Sequence, residues 1–242
     1  MDRGLGGMSL WVIIPVKPLK NAKSRLSSVL SPDQRFQLAL AMLRHVLRVT
    51  TLNQQVTGVL VISRDTKALA IAREFGAKTL QEGAISNLNP ALLRATMFVK
   101  SWRADAVLIL PADLPCITDE DISAIIERST DRSLVIATDH ARDGTNALLV
   151  KPPGAIEYAY GPGSFARHLR GAEAAGLPVF VYASERLALD IDVPADLETY
   201  RQILAGGRVG PLPSLELAGA AGRQSAELPI ETAFVDNTEL TD

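Results

Sequence analysis

Short apolar runs alternate along the chain with longer segments in which apolar residues recur every three or four positions. The first run is LWVIIP, residues 10–15, and the first periodic segment, 32–50, carries Leu38, Met42 and Val46 on one helical face. Continuous apolar runs of this length are typical of strands that are buried on both faces of a sheet. The opening pattern therefore predicts a strand, a loop and an amphipathic helix, in that order.

The same unit recurs as far as residue 205. We predict further strands at 56–63, 77–81, 106–110, 133–138, 147–150 and 179–183. We predict further helices that end near Gly76, open near Asn89 and Pro90, follow the capping-box spacing of Thr118 and Asp121, and cover 165–175 and 195–204. Strands that alternate with helices indicate an α/β, Rossmann-like fold, with a mostly parallel central sheet and helices on both faces. Ligands of such folds bind in the loops outside the carboxyl ends of the strands.

Residues 8–205 contain all of these elements, and we predict that they form one domain. The remaining residues, 206–242, are rich in Gly, Pro and acidic residues and have no sustained period, so we predict a flexible C-terminal tail. Within it, 230–235 could add an edge strand or contact a partner subunit, which leaves a homodimer as an open alternative.

Composition narrows the range of partners. Apolar residues make up 47% of the 242 residues but aromatic residues only 5%, which fits a core of Ala, Val, Leu and Ile. The 25 basic and 27 acidic side chains give a net charge of −2. This balance gives no general attraction to nucleic acid or to an anionic membrane surface, so any anion site must be a local cluster.

The single cysteine, Cys116, cannot form an internal disulfide or a thiolate metal cage. No apolar run approaches the roughly 18 residues of a membrane span, and residues 1–7 lack the features of a signal peptide. We therefore expect a cytoplasmic protein in a reducing compartment.

A basic cluster follows the first predicted strand. The segment VKPLKNAKSRL, residues 16–26 and hereafter the lysine loop, contains Lys17, Lys20, Lys23 and Arg25. Ammonium groups and backbone N–H groups at the carboxyl end of a strand suit a triphosphate, although a solvated basic loop would have the same composition. Because no glycine occurs between Met8 and Gly58, the loop is neither a P-loop nor a GxGxxG turn.

Two acidic segments could hold a divalent cation. Asp113 leaves the fourth predicted strand between Pro111 and Pro115, and Asp190 and Asp192 stand two positions apart in LALDIDVPADL. In an extended segment, residues two apart point to the same side. Carboxylates held together repel one another unless a cation lies between them, and Mg²⁺ prefers such oxygen ligands. A turn aspartate is the alternative for Asp113, and we assign Asp196 in the same segment to the first turn of the last helix.

A glycine-bearing turn could bind a second anion. Thr145 precedes an apolar strand in DGTNALLV, while Gly161, Gly163 and Ser164 lead into a helix in GPGSFARHLR. Backbone N–H groups at a helix N-terminus attract anions, although an ordinary glycine turn with a Ser cap is the alternative. The chain shows no Ser/His/Asp or Cys/His arrangement for a protein nucleophile.

Six segments, read in order, resemble the phosphoenolpyruvate and 2-phospho-L-lactate guanylyltransferases of coenzyme F-420 biosynthesis. They are PVKPLKNAKSRLS, LNPALLRA, LILPADLP, GTNALL, GPGSFARHL and LALDIDVPADL, and the resemblance covers about residues 10–205. The broader class is that of the glycosyltransferase-A-like, or nucleotide-diphospho-sugar transferase-like, nucleotidyltransferases. Its first loop is usually rich in glycine, whereas the Lys-Pro-Leu-Lys form found here points to the narrower family.

The resemblance implies transfer of GMP from GTP to the phosphate of phosphoenolpyruvate or 2-phospho-L-lactate, with release of pyrophosphate. It implies that Mg²⁺ is bound by Asp113, Asp190 and Asp192. It also implies that the lysine loop faces the triphosphate, and that Asn89 lies near the base. One departure concerns Asn89, because the glycine expected before the Leu-Asn pair is absent.

The family match also assigns the second anion site. It implies that the phosphate of the acid substrate is bound by Thr145, by Gly161 or Gly163, and by Ser164. We hypothesise that Lys17, Lys20, Lys23 and Arg25, together with Mg²⁺ held by Asp113, stabilise the departing pyrophosphate, so that no protein nucleophile is needed. Lys17, Lys23, Arg25 and Asp113 are then the expected catalytic groups. A molybdopterin or sugar-phosphate nucleotidyltransferase, and a non-catalytic nucleotide-binding regulator, are the alternatives.

Overall fold

A computed structural model describes residues 8–83, 87–207 and 209–212. The strands in this part of the chain are β1 (Leu10–Val16), β2 (Val56–Ser63), β3 (Lys78–Gln81), β4 (Ala106–Ile109), β5 (Ser133–Ala137), β6 (Ala147–Lys151) and β7 (Val179–Val181). The helices are α1 (Pro32–Leu52), α2 (Thr66–Glu74), α3 (Leu88–Ser101), α4 (Asp119–Glu127), α5 (Ser164–Ala174) and α6 (Pro194–Ala205). Each predicted strand and helix is confirmed to within about two residues, the usual uncertainty of element ends. Two short 3-10 turns between β1 and α1 were not predicted.

The seven strands form one sheet in the order β3-β2-β1-β4-β6-β5-β7. All neighbouring pairs are parallel except those of β6, which runs antiparallel to β4 and β5. The connection from β5 to β6 has no helix, and without such a crossover two neighbouring strands pair antiparallel. The start of β6 therefore lies at the same edge as the carboxyl ends of β1 and β4, which brings Thr145 and Asn146 to that edge.

Helices cover both faces of the sheet, as the pattern predicted. On one face, Val12 and Ile14 of β1 belong to a buried cluster that includes side chains of α1, α2 and α4. On the other face, Ile13 belongs to a cluster with Leu92 of α3 and Phe165 of α5. A third cluster packs α6 against the outer side of α1. Alternate side chains of β1 therefore pack against different helices, with α1, α2 and α4 on one face of the sheet and α3 and α5 on the other.

Side chains cap the helices that lead to and from the site. Asp196 accepts hydrogen bonds from the backbone N–H groups of Asp192 and Val193, which confirms its structural role at the start of α6. Asp121 accepts the N–H of Thr118 at 3.0 Å, as the capping-box spacing predicted. It is also fully buried and paired with Arg186 at 2.7 Å. Although burial alone would raise the pKa of Asp121, hydrogen bonds from Arg186 and other donors lower it below its ordinary value.

Some predictions fall near or beyond the ends of the described chain. Leu212, within the predicted tail, is buried in the third cluster, and its N–H donates to the hydroxyl of Tyr200 at 3.1 Å. Residues 213–242, including 230–235, lie outside the described residues, so the flexible tail stays a prediction. None of the described helices is both long enough and apolar enough to span a membrane.

Candidate active site

Three carboxylates meet at the edge where β1 and β4 end. Asp113 lies in the loop after β4, and Asp190 and Asp192 lie in the segment before α6. Each offers an oxygen atom, and these three atoms lie within 4.8 Å of one another. Leu189 and Ile191 are buried in the third core cluster, so the alternation of this segment turns both aspartates to the other side, as predicted. We call Asp113, Asp190 and Asp192 the carboxylate cluster.

The electrostatics of the carboxylate cluster indicate excess negative charge. Burial, followed by the charges of Asp113 and Asp192, raises the pKa of Asp190 from 3.8 to about 6, although Asn146 donates to it at 3.3 Å. Asp192 behaves differently, because burial alone would raise its pKa but the charge and hydrogen bond of Lys23 lower it. All three groups offer only oxygen atoms, so the donor set and the surplus charge fit a hard cation such as Mg²⁺.

Lys23 lies inside the carboxylate cluster and not on the open face of the lysine loop. Its Nζ atom is 2.7 Å from Asp113 Oδ2 and 2.8 Å from Asp192 Oδ1, and its side chain is only 6% exposed. Burial alone would lower the pKa of Lys23, but the two carboxylates raise it. Its backbone has the left-handed φ of 57°, which is uncommon for a residue other than glycine. The structure therefore separates Lys23 from the other cations with which it was grouped.

The remaining cations of the lysine loop point outward. Buried Leu19 and Leu26 hold the loop on the core, and the Leu19 N–H donates to Asp65 at 2.8 Å. Lys17, Lys20 and Arg25 are exposed and make no ion pair within the described part of the chain. Lys17 and Arg25 lie near enough to the carboxylate cluster to help lower the pKa of Asp192. Their positive charges are therefore available to a polyanion that approaches the cluster.

The two hydroxyl groups predicted to bind the acid substrate also meet. Thr145 Oγ1 lies 3.1 Å from Ser164 Oγ and 3.0 Å from His168 Nδ1. Since the Ala159 N–H donates to Nε2 of His168, the neutral ring carries its proton on Nδ1 and donates it to Thr145. Burial, followed by the charge of Arg167, lowers the pKa of His168 to about 4, so the ring is neutral at neutral pH.

The glycine turn before α5 is less open than the sequence suggested. Thr145 is 4% exposed and Ser164 is 2% exposed. Asp143 accepts the Gly163 N–H through Oδ1 at 3.0 Å and the Phe165 N–H through its carbonyl at 3.0 Å. An internal carboxylate therefore already uses part of the donor capacity of this helix N-terminus. Gly161 and Gly163 have φ values of +123° and +70°, in the region that favours glycine.

Asn89 is bound to the turn before α5. Its Oδ1 atom accepts the backbone N–H of Tyr160 at 2.8 Å, and its Nδ2 atom donates to the carbonyl of Tyr160 at 3.2 Å. Both ends of the amide are therefore held by this turn, and the contact to a nucleotide base stays a prediction.

Sequence reasoning missed Asn146 and Asp143, and it placed His168 on the helix after Ser164 without giving it a role. Asn146 connects the start of β6 to the segment before α6, because it donates to Asp190 and, at 2.8 Å, to the carbonyl of Leu187. The role of His168 could have been found, since it follows Ser164 by one helical turn and must share its face. The local sequence of Asp143 holds no signal that would place its carboxylate at the N-terminus of α5.

The sequence matches known proteins over most of its length. A family model described as "Guanylyl transferase CofC like" matches residues 10–207. A phosphoenolpyruvate guanylyltransferase from Sphaerobacter thermophilus is 41% identical over 191 residues, which cover 79% of this chain and 92% of that protein. A 2-phospho-L-lactate guanylyltransferase from Methanothermobacter thermautotrophicus is 38% identical over 190 residues, which cover 78% of this chain and 83% of that protein.

Solved structures agree on the fold. A structure described as a nucleotide-diphospho-sugar transferase from Desulfovibrio desulfuricans matches with a TM-score of 0.66 at 15% identity, over 81% of this chain and 88% of its own. A CMP:2-keto-3-deoxy-manno-octonic acid synthetase complexed with CTP matches with a TM-score of 0.55 at 15% identity, over 82% of this chain and 99% of its own. At such identities the likeness confirms the nucleotide-diphospho-sugar transferase-like fold and no more.

Proposed function

Because the chain belongs to the CofC-like guanylyl transferase family, we propose that it transfers GMP from GTP to the phosphate of phosphoenolpyruvate or 2-phospho-L-lactate. The reaction releases pyrophosphate and serves coenzyme F-420 biosynthesis. One observation carries the proposal: three carboxylates with oxygens within 4.8 Å of one another lie beside the exposed cations of the lysine loop. This arrangement suits a triphosphate with a bound metal ion, because the carboxylates attract the metal and the cations of the lysine loop attract the phosphates.

Asp113, Asp190 and Asp192 are the residues that would hold Mg²⁺. When bound, the ion supplies positive charge that neutralises the phosphate oxygens as pyrophosphate departs. Lys23 offsets part of the negative charge of the carboxylate cluster and fixes Asp113 and Asp192 through its two ion pairs. Lys17, Lys20 and Arg25 bind the triphosphate and stabilise the leaving group. The Lys23 assignment thus changes from a phosphate ligand to a group that orients the carboxylates.

The attacking group is an oxygen of the acid substrate's own phosphate, so the protein need not provide a nucleophile. Cys116 is unsuited to that role in any case, because it is buried and burial raises the pKa of its thiol to about 12. The protein instead holds the two substrates in position and provides charged groups that are already in place before the reaction begins.

Two adjacent residues connect the two substrates. Thr145 faces Ser164 and His168, whereas Asn146 donates to Asp190 in the carboxylate cluster. An acid phosphate near Thr145 would therefore lie close to the carboxylate cluster. Because Thr145 and Ser164 are nearly buried, the acid contacts only the part of these two residues that is exposed, together with the glycine turn beside them.

Phosphoenolpyruvate is our first choice of acid, since it is named in the more similar of the two relatives reported above. A cytoplasmic location belongs to the same proposal, and a homodimer stays an open prediction. The rival functions are a molybdopterin or sugar-phosphate nucleotidyltransferase and a nucleotide-binding regulator without turnover. A regulator would bind GTP but release no pyrophosphate.

The test is pyrophosphate release by the purified full chain with Mg²⁺, with each nucleoside triphosphate paired in turn with each candidate acid. We expect release with GTP and phosphoenolpyruvate or 2-phospho-L-lactate, and none when the acid or the metal is omitted. Release only with a sugar phosphate or a pterin phosphate would favour a rival transferase. If no pair of substrates led to pyrophosphate release, the proposed transferase activity would be rejected.

A further inference from the structure

Residues 158–163, Tyr-Ala-Tyr-Gly-Pro-Gly and hereafter the glycine turn, lie outside the regular helices and strands and lead directly into α5. Tyr158 is buried and Ala159, Tyr160 and Gly163 are half-buried, and backbone that is shielded from water in this way needs partners for its N–H and carbonyl groups. Besides Asp143, which accepts the N–H of Gly163, the partners come from two helices that lie on the same face of the sheet, α3 and α5.

From α5, two side chains engage Ala159. The Arg167 guanidinium donates to its carbonyl from Nε at 3.0 Å and from Nη2 at 2.7 Å. His168 Nε2 accepts its N–H at 3.0 Å. Arg167 also donates to the carbonyl of Pro162. Its donors are therefore directed at backbone carbonyls of the turn, and Arg167 acts as part of the support and not as an anion ligand.

From α3, two side chains seven positions apart reach the same turn. Asn89 makes its two hydrogen bonds with the backbone of Tyr160, and Thr96 lies 2.6 Å from the hydroxyl of Tyr158. Positions seven apart share one face of a helix. That face also carries Leu92, which is buried in the core cluster between α3, α5 and the sheet. The packing of α3 on the sheet therefore holds the backbone of Asn89 in a fixed position.

Tyr160 joins this support to the hydroxyl pair of Thr145 and Ser164. Its ring meets the ring of His168 edge-on, with centroids 4.9 Å apart, and His168 donates to Thr145. Within the described residues the Tyr160 hydroxyl is buried and has no hydrogen-bond partner. No hydrogen bond at the far end of the side chain therefore holds Tyr160, and its position depends on packing against the second core cluster, on the ring contact and on the two backbone bonds to Asn89.

We propose that Asn89 is a positioning residue for the acid substrate and not a contact to the nucleotide base. It fixes the backbone of Tyr160, and through it the glycine turn and the His168–Thr145–Ser164 group beside it. The inference rests on the proposed function for its kinetic consequence, but the hydrogen bonds on which it depends exist without any substrate.

The kinetic test uses Asn89→Ala, with Asn87→Ala as the matched control. Asn87 is exposed at the N-cap of α3, and its side chain makes no capping hydrogen bond. Loss of two hydrogen bonds should raise the KM for the acid about 10-fold. We expect the KM for GTP to be unchanged in both variants, and the control to behave as wild type. A rise in the KM for GTP with an unchanged KM for the acid would instead show a base contact and overturn the proposal.

Asn89→Asp separates the two bonds. A carboxylate still accepts the Tyr160 N–H, but it cannot donate to the Tyr160 carbonyl and repels it. We expect an increased KM for the acid, again without a change in the KM for GTP. A KM for the acid equal to that of wild type would show that the donated bond contributes nothing to acid binding.

A second measurement does not depend on activity. Hydrogen exchange of the peptide that spans the glycine turn should become faster in Asn89→Ala, because the Tyr160 N–H loses its acceptor. It should stay at the wild-type rate in Asn87→Ala. Faster exchange in a chain that releases no pyrophosphate would leave the positioning role standing and reject only the proposed function. Unchanged exchange in Asn89→Ala would overturn the positioning role whatever the activity.

Discussion

The carboxylate cluster and the hydroxyl pair lie side by side but are balanced in opposite ways. In the carboxylate cluster, three acidic groups are offset by one buried ammonium group, and Asp190 keeps a raised pKa of about 6. Around Thr145 and Ser164, hydroxyl, imidazole and backbone groups satisfy one another without a net charge. The first region therefore keeps an excess of negative charge, whereas the polar groups of the second region satisfy one another without a ligand.

This difference separates two kinds of contribution to one reaction. A region with unbalanced charge can stabilise charge that develops during phosphoryl transfer, at some cost to the stability of the fold. A region whose hydrogen bonds are already satisfied fixes geometry and supports the fold at the same time. Substitutions in the first should therefore lower turnover more than stability, and substitutions in the second should lower stability and acid binding together.

The largest effect is expected from Asp190→Asn. The amide keeps the shape of the side chain but removes a charge that the proposed metal site requires. We expect kcat to fall about 10² to 10³-fold, measured as pyrophosphate release at saturating substrates. Without metal, the variant should unfold at a higher temperature than wild type, because one of three repelling charges is gone. Turnover at the wild-type rate would exclude Asp190 from the metal site.

Lys23→Met tests the balance of the cluster from the other side. It leaves Asp113 and Asp192 without their shared cation, and since both carboxylates are partly exposed the cost should be about 1–3 kcal/mol of unfolding free energy. Added Mg²⁺ should recover more stability in this variant than in wild type, because an ion can replace the missing charge. Chemical denaturation with Mg²⁺ and with a chelator gives both values. If Mg²⁺ stabilised the variant and wild type equally, Lys23 and the metal would not share the same carboxylates.

His168→Asn tests the neutral region. It removes an acceptor for the Ala159 N–H, and a buried group left unsatisfied costs about 1–3 kcal/mol. We expect lower stability and a raised KM for the acid, with the KM for GTP unchanged. An equal rise in both KM values would show that the hydroxyl pair does not belong to the acid site alone.

The pH dependence of stability should have opposite signs in the two regions. The folded pKa of Asp190 is raised from 3.8 to about 6, so its favourable contribution is present below pH 3.8 and is lost as pH rises through about 6. The folded pKa of His168 is lowered from 6.5 to about 4, so its contribution is present above pH 6.5 and is lost as pH falls through about 4. Denaturation profiles in a chelator should lose the first slope in Asp190→Asn and the second in His168→Asn. A slope that persists in its variant would contradict that assignment.

The smallest effect is expected from Lys17→Ala. The side chain is exposed, and exposed charges contribute about 0.2–1 kcal/mol, so the KM for GTP should rise and kcat should fall only a few-fold. The KM for the acid and the unfolding free energy should not change. The increase should shrink with added salt, because screening weakens exposed charges first. A large, salt-independent loss of turnover would place Lys17 inside the cluster with Lys23.

Periodicity predicted the fold well because each strand and helix has its own local signal. The antiparallel direction of β6 was not predicted, although the sequence shows no helical pattern in the connection between β5 and β6. The carboxylate cluster was also predictable, since Asp190 and Asp192 alternate with buried Leu189 and Ile191. The environment of Lys23 was not, because it depends on two short turns and a left-handed backbone that no local pattern indicates.

Asn89 shows the same limit from another direction. Its place in LNPALLRA matched a family segment, but its hydrogen-bond partner lies 71 residues further along the chain. A contact of that range is set by how α3 and the glycine turn pack on one face of the sheet. The resemblance could therefore indicate that the residue belongs to the site, and could not indicate what it does there.

The most direct test of the central claim is the mass of the product formed from GTP, phosphoenolpyruvate and Mg²⁺ by wild type and by Asp190→Asn. The account predicts a compound in which GMP is joined through a diphosphate linkage to the acid, made by wild type and nearly absent with the variant. Pyrophosphate release without such a compound, or equal yields from the two proteins, would contradict it.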